Sequence, residues 1–161
     1  YYSQISAKEW DFQISAHGKP TVVNSLPEPL HFSLSHSRGQ VVFAVARNLQ
    51  IGIDIESTQK EKSYLALAKR FFSKAECENL KKNSKKEQAN LFYKYWALKE
   101  AYSKAIGLGF QTSFETFSFS LGDENNIQID LPEKQNAEFW KFFRPPWPFI
   151  RKKIFESENF F

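Results

Sequence analysis

The chain has 161 residues, of which 42% are hydrophobic, 17% aromatic and 25% charged, and its formal net charge is +4. This composition excludes a wholly disordered chain, and without a run of about 18 apolar residues no transmembrane helix is predicted. The single cysteine, Cys77, excludes an internal disulfide and is typical of a protein in a reducing, cytoplasmic environment.

The first third of the chain is predicted to form strands and turns. Residues 10–15 alternate apolar and polar side chains, as a half-buried strand does. Residues 30–35 and 41–46 are two further strand-like runs, and residues 36–39 between them predict a hairpin loop. Residues 51–56 are predicted to be another strand.

The middle of the chain is predicted to be helical over residues 62–72, 74–82 and 87–106. Ser73 and Glu76 have the spacing of a capping box, which predicts the start of the second helix. Gly107 is expected to end the third helix. The apolar residues of this third helix fall on one stripe: Leu91, Tyr95, Leu98, Tyr102 and Ala105.

The last third is predicted to return to strands, over residues 114–121, 127–131 and 138–143. Residues 144–148 contain three prolines, which exclude a central strand because proline has no N–H to donate. Strands on either side of a helical middle predict an α+β fold.

Positive charge is concentrated in the middle of the chain. Residues 57–110 contain twelve basic and five acidic side chains, whereas the segments before and after it are slightly acidic. This pattern favours an anionic partner, such as a phosphate-rich cofactor, a nucleic acid or an acidic protein. A solvated lysine-rich helix surface is the structural alternative.

Asp54 and Glu56 are predicted to project from the same face of the 51–56 strand, because strand side chains alternate. Two neighbouring carboxylates repel each other, and a hard cation such as Mg²⁺ between them removes that repulsion. A polar, solvent-facing strand end is the alternative. Zinc is not predicted, because the usual Cys and His ligands are not clustered.

Trp96, Glu100 and Lys104 recur every four residues, so they share one face of the third predicted helix. Glu100 is therefore placed to complete a metal site with Asp54 and Glu56, and Lys104 to hold a phosphate as a point charge. Taken alone, Glu100 and Lys104 are equally well explained as an ordinary helix-surface ion pair.

Residues 35–39, at the predicted hairpin loop, combine a hydroxyl, an imidazole and a guanidinium that suit phosphate oxygens. A nucleophilic pair of Ser35 and His36 is the alternative, but adjacent strand residues diverge and no G-x-S-x-G motif supports a hydrolase. A phosphate-binding P-loop and a dinucleotide-binding G-x-G-x-x-G are also absent from the sequence.

Taken together and in order, these segments resemble the Sfp-type 4′-phosphopantetheinyl transferases. The family pattern is Gly-Lys-Pro, Ser-His-Ser, Gly-Ile-Asp-Ile-Glu, Phe-Ser-x-x-Glu and Trp-x-x-Lys-Glu-Ala followed by a lysine. Its counterparts in this chain lie at residues 18–20, 35–37, 52–56, 72–76 and 96–104. The resemblance covers about residues 10–120.

The resemblance implies Mg²⁺-dependent transfer of the phosphopantetheine arm of coenzyme A to a serine of an acyl or peptidyl carrier protein. Adenosine 3′,5′-bisphosphate is the implied by-product. The resemblance implies that Asp54, Glu56 and Glu100 bind the metal and that either Glu100 or Glu76 is the base. It also implies that Lys104 contacts the pyrophosphate. Lys19, Ser35 and His36 are implied to contact the nucleotide end.

The resemblance also implies two similar α+β halves about a pseudo-two-fold axis. Residues 1–50 are then a partial N-terminal half, 51–143 the C-terminal half and 144–161 an atypical tail. Since the sequence has no methionine, we interpret it as a piece of a longer gene product. An inactive remnant that binds coenzyme A or a carrier protein is an alternative function. A nucleic-acid-binding domain is disfavoured because the lysines of residues 81–86 lack interleaved aromatics.

An incomplete first half is expected to leave an apolar face uncovered, with Ile51, Ile53 and Ile55 at its centre. Exposed apolar patches drive association. The sequence therefore predicts self-association of the chain, or ready unfolding, together with coenzyme A and a carrier protein as its partners.

Overall fold

A computed structural model of the chain describes residues 4–57, 64–122, 126–132 and 137–143. Within these ranges no helix combines the length and the hydropathy that crossing a bilayer requires. The predicted tail, residues 144–161, lies outside the described residues. The described ranges contain three α-helices and three two-stranded antiparallel sheets, which confirms the α+β class.

The three helices follow one another closely: α1 over Tyr64–Phe71, α2 over Lys74–Lys81 and α3 over Lys85–Ile106. The predicted capping box at Ser73 and Glu76 is present, and a second one, Ser84 with Glu87, starts α3 two residues earlier than expected. Gly107 ends α3 in the left-handed conformation, with φ of 77°, as its position predicts.

The strands pair as hairpins. Strand β1 (Phe12–Ile14) pairs with β2 (Pro20–Val22), and β3 (Leu30–Ser37) pairs over its whole length with β4 (Gln40–Arg47). Arg38 and Gly39 form a two-residue loop in which both φ angles are positive, 46° and 75°, as a tight primed turn requires. Strands β5 (Ser118–Leu121) and β6 (Ile127–Asp130) form the third pair.

The core lies between the three helices and the β5–β6 hairpin, and it is largely aromatic. Four of the five residues in the predicted α3 stripe are buried, the exception being Leu91, which is half-buried. Rings from the residue after α1, from α3, from the turn before β5 and from β5 contact each other at centroid distances of 5.0–6.2 Å, so α3 is held along much of its length by packing. The buried aromatic residues are Phe72, Phe92, Tyr95, Tyr102, Phe114, Phe117 and Phe119.

Two predicted strands are absent. Residues 51–57, here called the linker segment, make no backbone ladder, and instead the Ile53 and Ile55 N–H groups donate to the Ser33 and Ser35 hydroxyls of β3 at 3.1 and 3.3 Å. Residues 138–143 contain the end of a short 3₁₀ turn, Ala137–Phe139, and no strand. The sequence pattern predicted both strands, but a strand also needs a neighbouring strand with which its backbone can form hydrogen bonds.

The prediction that Ile51, Ile53 and Ile55 lie at the centre of an exposed apolar face is wrong. Ile51 is only 6% exposed, and Ile53 and Ile55 are half-buried. The large exposed apolar side chains of the first third lie instead on the outer side of the hairpins, and self-association through them stays a prediction. They are Phe12, Ile14, Val23, Leu34, Val41 and Phe43.

Candidate active site

A glycine sets the distance between the linker segment and α3. A Cβ atom at Gly52 would overlap the Ala101 carbonyl and lie 2.7 Å from the Ala105 backbone nitrogen. Only glycine allows two backbones to approach this closely. The close contact brings Asp54, two residues further on, to the face of α3 that carries Glu100 and Lys104.

An ion pair lies where the linker segment, β3 and α3 meet. The Lys104 ammonium is 2.6 Å from Asp54 Oδ1, and the Ser35 hydroxyl donates to the same oxygen at 2.8 Å. Lys104 also donates to the Ile53 carbonyl at 3.3 Å. The structure thus brings three predicted site residues from distant parts of the sequence into direct contact: Ser35, Asp54 and Lys104.

The carboxylates of Glu56 and Glu100 lie close enough to Asp54 for its negative charge to affect their pKa values. Burial and then Asp54 raise the pKa of Glu100, and Glu56 has its pKa raised by burial, by Asp54 and by Glu100 in that order. The Trp96 side chain hydrogen-bonds to Glu56 and opposes that shift. Negative charge from the three carboxylates is thus concentrated beside the Lys104 ammonium.

One atom of this cluster is unsatisfied. Asp54 Oδ2 is buried and has no hydrogen-bond partner among the residues the structure describes. A buried carboxylate oxygen without a partner is unfavourable, and a hard cation with oxygen ligands satisfies it. The donor chemistry therefore fits Mg²⁺, although no three His, Cys, Asp or Glu side chains within the described ranges already stand in a ligating arrangement.

Glu76, predicted as an alternative base, lies apart from this cluster in the core. Its side chain is 1% exposed and forms a 2.9 Å ion pair with Lys99, which is 0% exposed. Glu76 Oε1 accepts from the Phe119 N–H at 2.9 Å, and Oε2 accepts from the Ser73 N–H at 3.0 Å. Both carboxylate oxygens are thus engaged in holding α2, α3 and β5 together, and this position does not favour a role as base.

Lys19 lies at the C-terminal end of α3. Its ammonium donates to the Ala105 carbonyl at 2.7 Å, one residue beyond Lys104, and burial lowers its pKa. A cation here also complements the negative end of the helix dipole. The structure places Lys19 next to the cluster but already bound to the backbone.

The two histidines of β3 lie on opposite faces of that strand. Ser33 and Ser35 are buried towards the linker segment, whereas Leu34 and His36 are exposed on the outer face. The structure does not bring His36 to the Asp54 cluster. His31 instead shares the Ser33–Ser35 face, and burial followed by the charge of Lys19 lowers its pKa.

Sequence reasoning missed Ser33, His31 and Lys99. The i, i+2, i+4 spacing of His31, Ser33 and Ser35 was a readable pattern, since it places all three on one face of a strand. Gly52 and Lys99 carried no such pattern, because a close backbone approach and a buried ammonium depend on elements distant in the sequence.

Comparison with known proteins identifies the family. A family model described as the 4′-phosphopantetheinyl transferase superfamily matches residues 50–148, more than half of the chain, including the linker segment and α3. The chain belongs to this superfamily.

The curated relatives agree with that assignment. 4′-Phosphopantetheinyl transferase Sfp of Bacillus subtilis is 35% identical over 140 residues, which cover 87% of this chain and 60% of the relative. 4′-Phosphopantetheinyl transferase HetI of Nostoc is 37% identical over 109 residues, 67% of this chain and 46% of the relative. The mouse L-aminoadipate-semialdehyde dehydrogenase-phosphopantetheinyl transferase is 31% identical over 128 residues, 72% and 41% respectively.

The matches cover most of this chain but only part of each relative. The chain spans about 60% of the length of the Bacillus Sfp protein and less of the other two. The Sfp-type resemblance of the motifs is therefore confirmed at the level of the family.

Proposed function

We propose that the protein containing this chain transfers the 4′-phosphopantetheine arm of coenzyme A to a serine of an apo acyl or peptidyl carrier protein. The observation that carries the proposal is the unpartnered Asp54 Oδ2 beside the Lys104 ammonium, in a cluster with Glu56 and Glu100. Carboxylates and a lysine are the groups that hold a metal-bound pyrophosphate.

Asp54, Glu56 and Glu100 would hold the Mg²⁺. When bound, the ion neutralises charge on the pyrophosphate and on the three carboxylates. Asp54 is held by Ser35 and Lys104 through Oδ1, and Oδ2, which has no partner among the described residues, would be the oxygen available to the ion. The Lys104 side chain is 29% exposed, and its ammonium donates to Ser35, Ile53 and Asp54, so a phosphate oxygen would replace one of these acceptors.

In the transfer step the carrier serine oxygen attacks the phosphorus that bears the pantetheine arm. The bond from that phosphorus to the bridging pyrophosphate oxygen breaks, and its electron pair leaves with adenosine 3′,5′-bisphosphate. Glu100 accepts the serine proton, directly or through a water. Burial raises the pKa of Glu100, which makes its carboxylate a better base. Glu76 is the less suitable base because its oxygens are occupied.

Lys19, Ser35 and His36 would contact the nucleotide end, His36 on the 3′-phosphate. Ser35 contacts the Lys104 ammonium, and Lys19 donates to the carbonyl of the next residue, Ala105, which supports a contact of both with the same ligand. His36→Ala tests the proposed contact between His36 and the 3′-phosphate. It should weaken binding of coenzyme A but not of its 3′-dephospho form, and His31→Ala, on the opposite face of β3, is the matched control. If His31→Ala weakens this binding and His36→Ala does not, the contact with the 3′-phosphate would be assigned to His31.

A basic surface supports an acidic protein partner. Four exposed lysines surround the turn between α2 and α3. Charges of this kind accelerate encounter with a partner of opposite charge, and carrier proteins are typically acidic. The lysines are Lys81, Lys82, Lys85 and Lys86.

The test is an incubation with coenzyme A, Mg²⁺ and a panel of apo carrier proteins, followed by mass spectrometry of the carriers. The expected result is a gain of one phosphopantetheine on a carrier serine, abolished by chelation of the metal. Binding of coenzyme A by calorimetry without any transfer would support the inactive-remnant alternative instead.

A further inference from the structure

Strand β4 has one edge that faces β3 and one edge that faces away from it. The Asn48 N–H donates to the Pro29 carbonyl at 2.9 Å, in register with the β3–β4 ladder. Hydrogen-bonded and non-hydrogen-bonded pairs alternate along an antiparallel ladder, so the even-numbered residues of β4 direct their N–H and C=O groups to β3. The odd-numbered Val41, Phe43 and Val45 direct theirs outward, and no other strand pairs with them in the part of the chain that the structure describes.

The sequence of this edge lacks the features that usually protect one. Residues 41–46 include no charged residue and no proline, and the register of β4 with β3 runs through eight consecutive pairs. Native proteins guard an exposed edge with lysine, proline or a β-bulge, because a bare edge pairs readily with another strand. Val41 and Phe43 are also 66% and 59% exposed, so the same edge carries an apolar face.

We propose that this edge pairs with β4 of a second copy of the chain, antiparallel and about a two-fold axis at Phe43. Phe43 then lies opposite Phe43 of the second copy, and Val41 lies opposite Val45. The three outward-facing residues of each copy form about six main-chain hydrogen bonds, and aromatic and β-branched pairs across strands stabilise a sheet. An axis one residue further on, at Ala44, would instead place Val41 opposite the charged Arg47.

The charges at the two ends of β4 are complementary in this register. Arg38, in the loop between β3 and β4, comes opposite Asn48 of the second copy. Glu28 lies at that end of the strand, because its carboxylate accepts from the Asn48 side-chain amide at 3.1 Å and pairs with Arg47 at 3.5 Å. Each copy therefore brings a guanidinium to a carboxylate of the other, twice by symmetry. A two-fold contact of this kind closes as a dimer.

Sedimentation equilibrium over a range of chain concentrations measures the association, and the expected result is a reversible dimer. Phe43→Lys brings two like charges opposite each other and should weaken the dimer about tenfold or more. Leu34→Lys places the same charge on the neighbouring strand of the same face, at a position that is 50% exposed, and should leave the dimer unchanged. A monomer at all concentrations, or equal losses in the two variants, would overturn the proposal.

A charge exchange tests the register. Arg38→Glu should weaken the dimer about three- to tenfold, because two exposed ion pairs become two repulsions. The double variant Arg38→Glu with Glu28→Arg restores the complementary charges and should restore most of the lost association. Its loss of the pair with Arg47 is common to monomer and dimer. A double variant that associates no better than Arg38→Glu would overturn the register.

Amide hydrogen exchange on the unmodified chain tests the edge without any substitution. The amides of Val41, Phe43 and Val45 should gain protection only at concentrations at which the dimer forms, whereas those of Val42 and Ala44, bonded to β3, should be protected at all concentrations. A dimer in which the first three amides exchange as fast as in the monomer would overturn the proposal. These measurements need neither coenzyme A nor a carrier protein, so their outcome is independent of the proposed function.

Discussion

Helix α3 carries two lysine residues that pair with carboxylates, and the two pairs are satisfied to different degrees. The Lys99 ammonium reaches the Glu76 carboxylate and two carbonyls, those of Phe114 and Phe117, at 2.6–2.9 Å, and it lies 4.2 Å from the Phe117 ring centroid. The Lys104 ammonium pairs with Asp54, whose second oxygen has no partner in the described part of the chain.

This difference distinguishes an ion pair that stabilises the fold from one that can bind a ligand. A buried ion pair with all its donors and acceptors occupied can hold elements together but has no capacity for a ligand. A pair whose carboxylate keeps an unpartnered buried oxygen retains that capacity. The following predictions ask whether the Glu76–Lys99 pair acts on stability and the Asp54–Lys104 pair on binding and transfer.

The largest effect is expected for Lys99→Met. The substitution leaves the buried Glu76 carboxylate without its counter-charge, which should lower the free energy of unfolding by about 3–5 kcal/mol. Urea denaturation followed by circular dichroism measures the loss. The double variant Glu76→Leu with Lys99→Met should recover the part of the loss that comes from the uncompensated charge, but not the part that comes from the Phe119 and Ser73 N–H groups, which lose their acceptor. Lys104→Met should be less destabilising than Lys99→Met, because the Lys104 side chain is 29% exposed and that of Lys99 is 0% exposed. Equal losses at Lys99 and Lys104 would contradict the distinction.

Asp54→Asn is expected to act on transfer rather than on stability. It keeps the shape of the side chain but removes the charge that pairs with Lys104 and that would help to hold the metal. Loss of one preorganised electrostatic group typically lowers the rate about 10²–10³-fold. A transfer assay across a Mg²⁺ titration measures this, with Asp130→Asn, an exposed carboxylate on β6, as the control. An unchanged rate in Asp54→Asn would remove Asp54 from the site.

Lys104→Ala should weaken binding of coenzyme A by about 1.5–3 kcal/mol, the usual contribution of a hydrogen bond to a charged group. Lys94→Ala removes an exposed lysine from the same helix and should change the affinity little. Calorimetry at two salt concentrations separates a direct contact from general attraction, because screening affects exposed charges most. Equal losses in the two variants would indicate general attraction only.

The smallest effect is a dependence of stability on pH. The pKa values of Glu56 and Glu100 are raised above their ordinary value of 4.5, so the folded chain binds these protons more tightly than the unfolded chain. Stability without metal should therefore rise as the pH falls through the raised pKa values towards 4.5, and the repulsion from Asp54 is relieved.

Thermal unfolding over this pH range tests the effect. Glu100→Gln should reduce the dependence, because one of the two proton-binding carboxylates is removed. With Mg²⁺ present, the stabilisation by the ion should decline over the same range, since protons compete for its ligands. A pH dependence that Glu100→Gln leaves intact would assign it to other groups.

The sequence predicted best what depends on near neighbours. Helix α2 begins at its capping box because Ser73 and Glu76 satisfy each other's backbone groups within one turn. The contact of Asp54 with Lys104 was less accessible, since it needs the close packing of Gly52 on α3. The burial of Lys99 could not be predicted, because its partners come from α2 and from the turns before β5, each positioned by tertiary packing.

The attachment of the linker segment has a consequence for how this site can be altered. Ser33 and Ser35 hold the Ile53 and Ile55 amides with side-chain hydroxyls, where a strand would use main-chain carbonyls. A main-chain bond survives any change of side chain, whereas each hydroxyl is removed by a single codon change to alanine. The position of the Asp54 carboxylate thus depends on two serine side chains of the β3–β4 hairpin, and substitution of one of them, Ser33, can shift it without changing a residue that is proposed to bind the ligand.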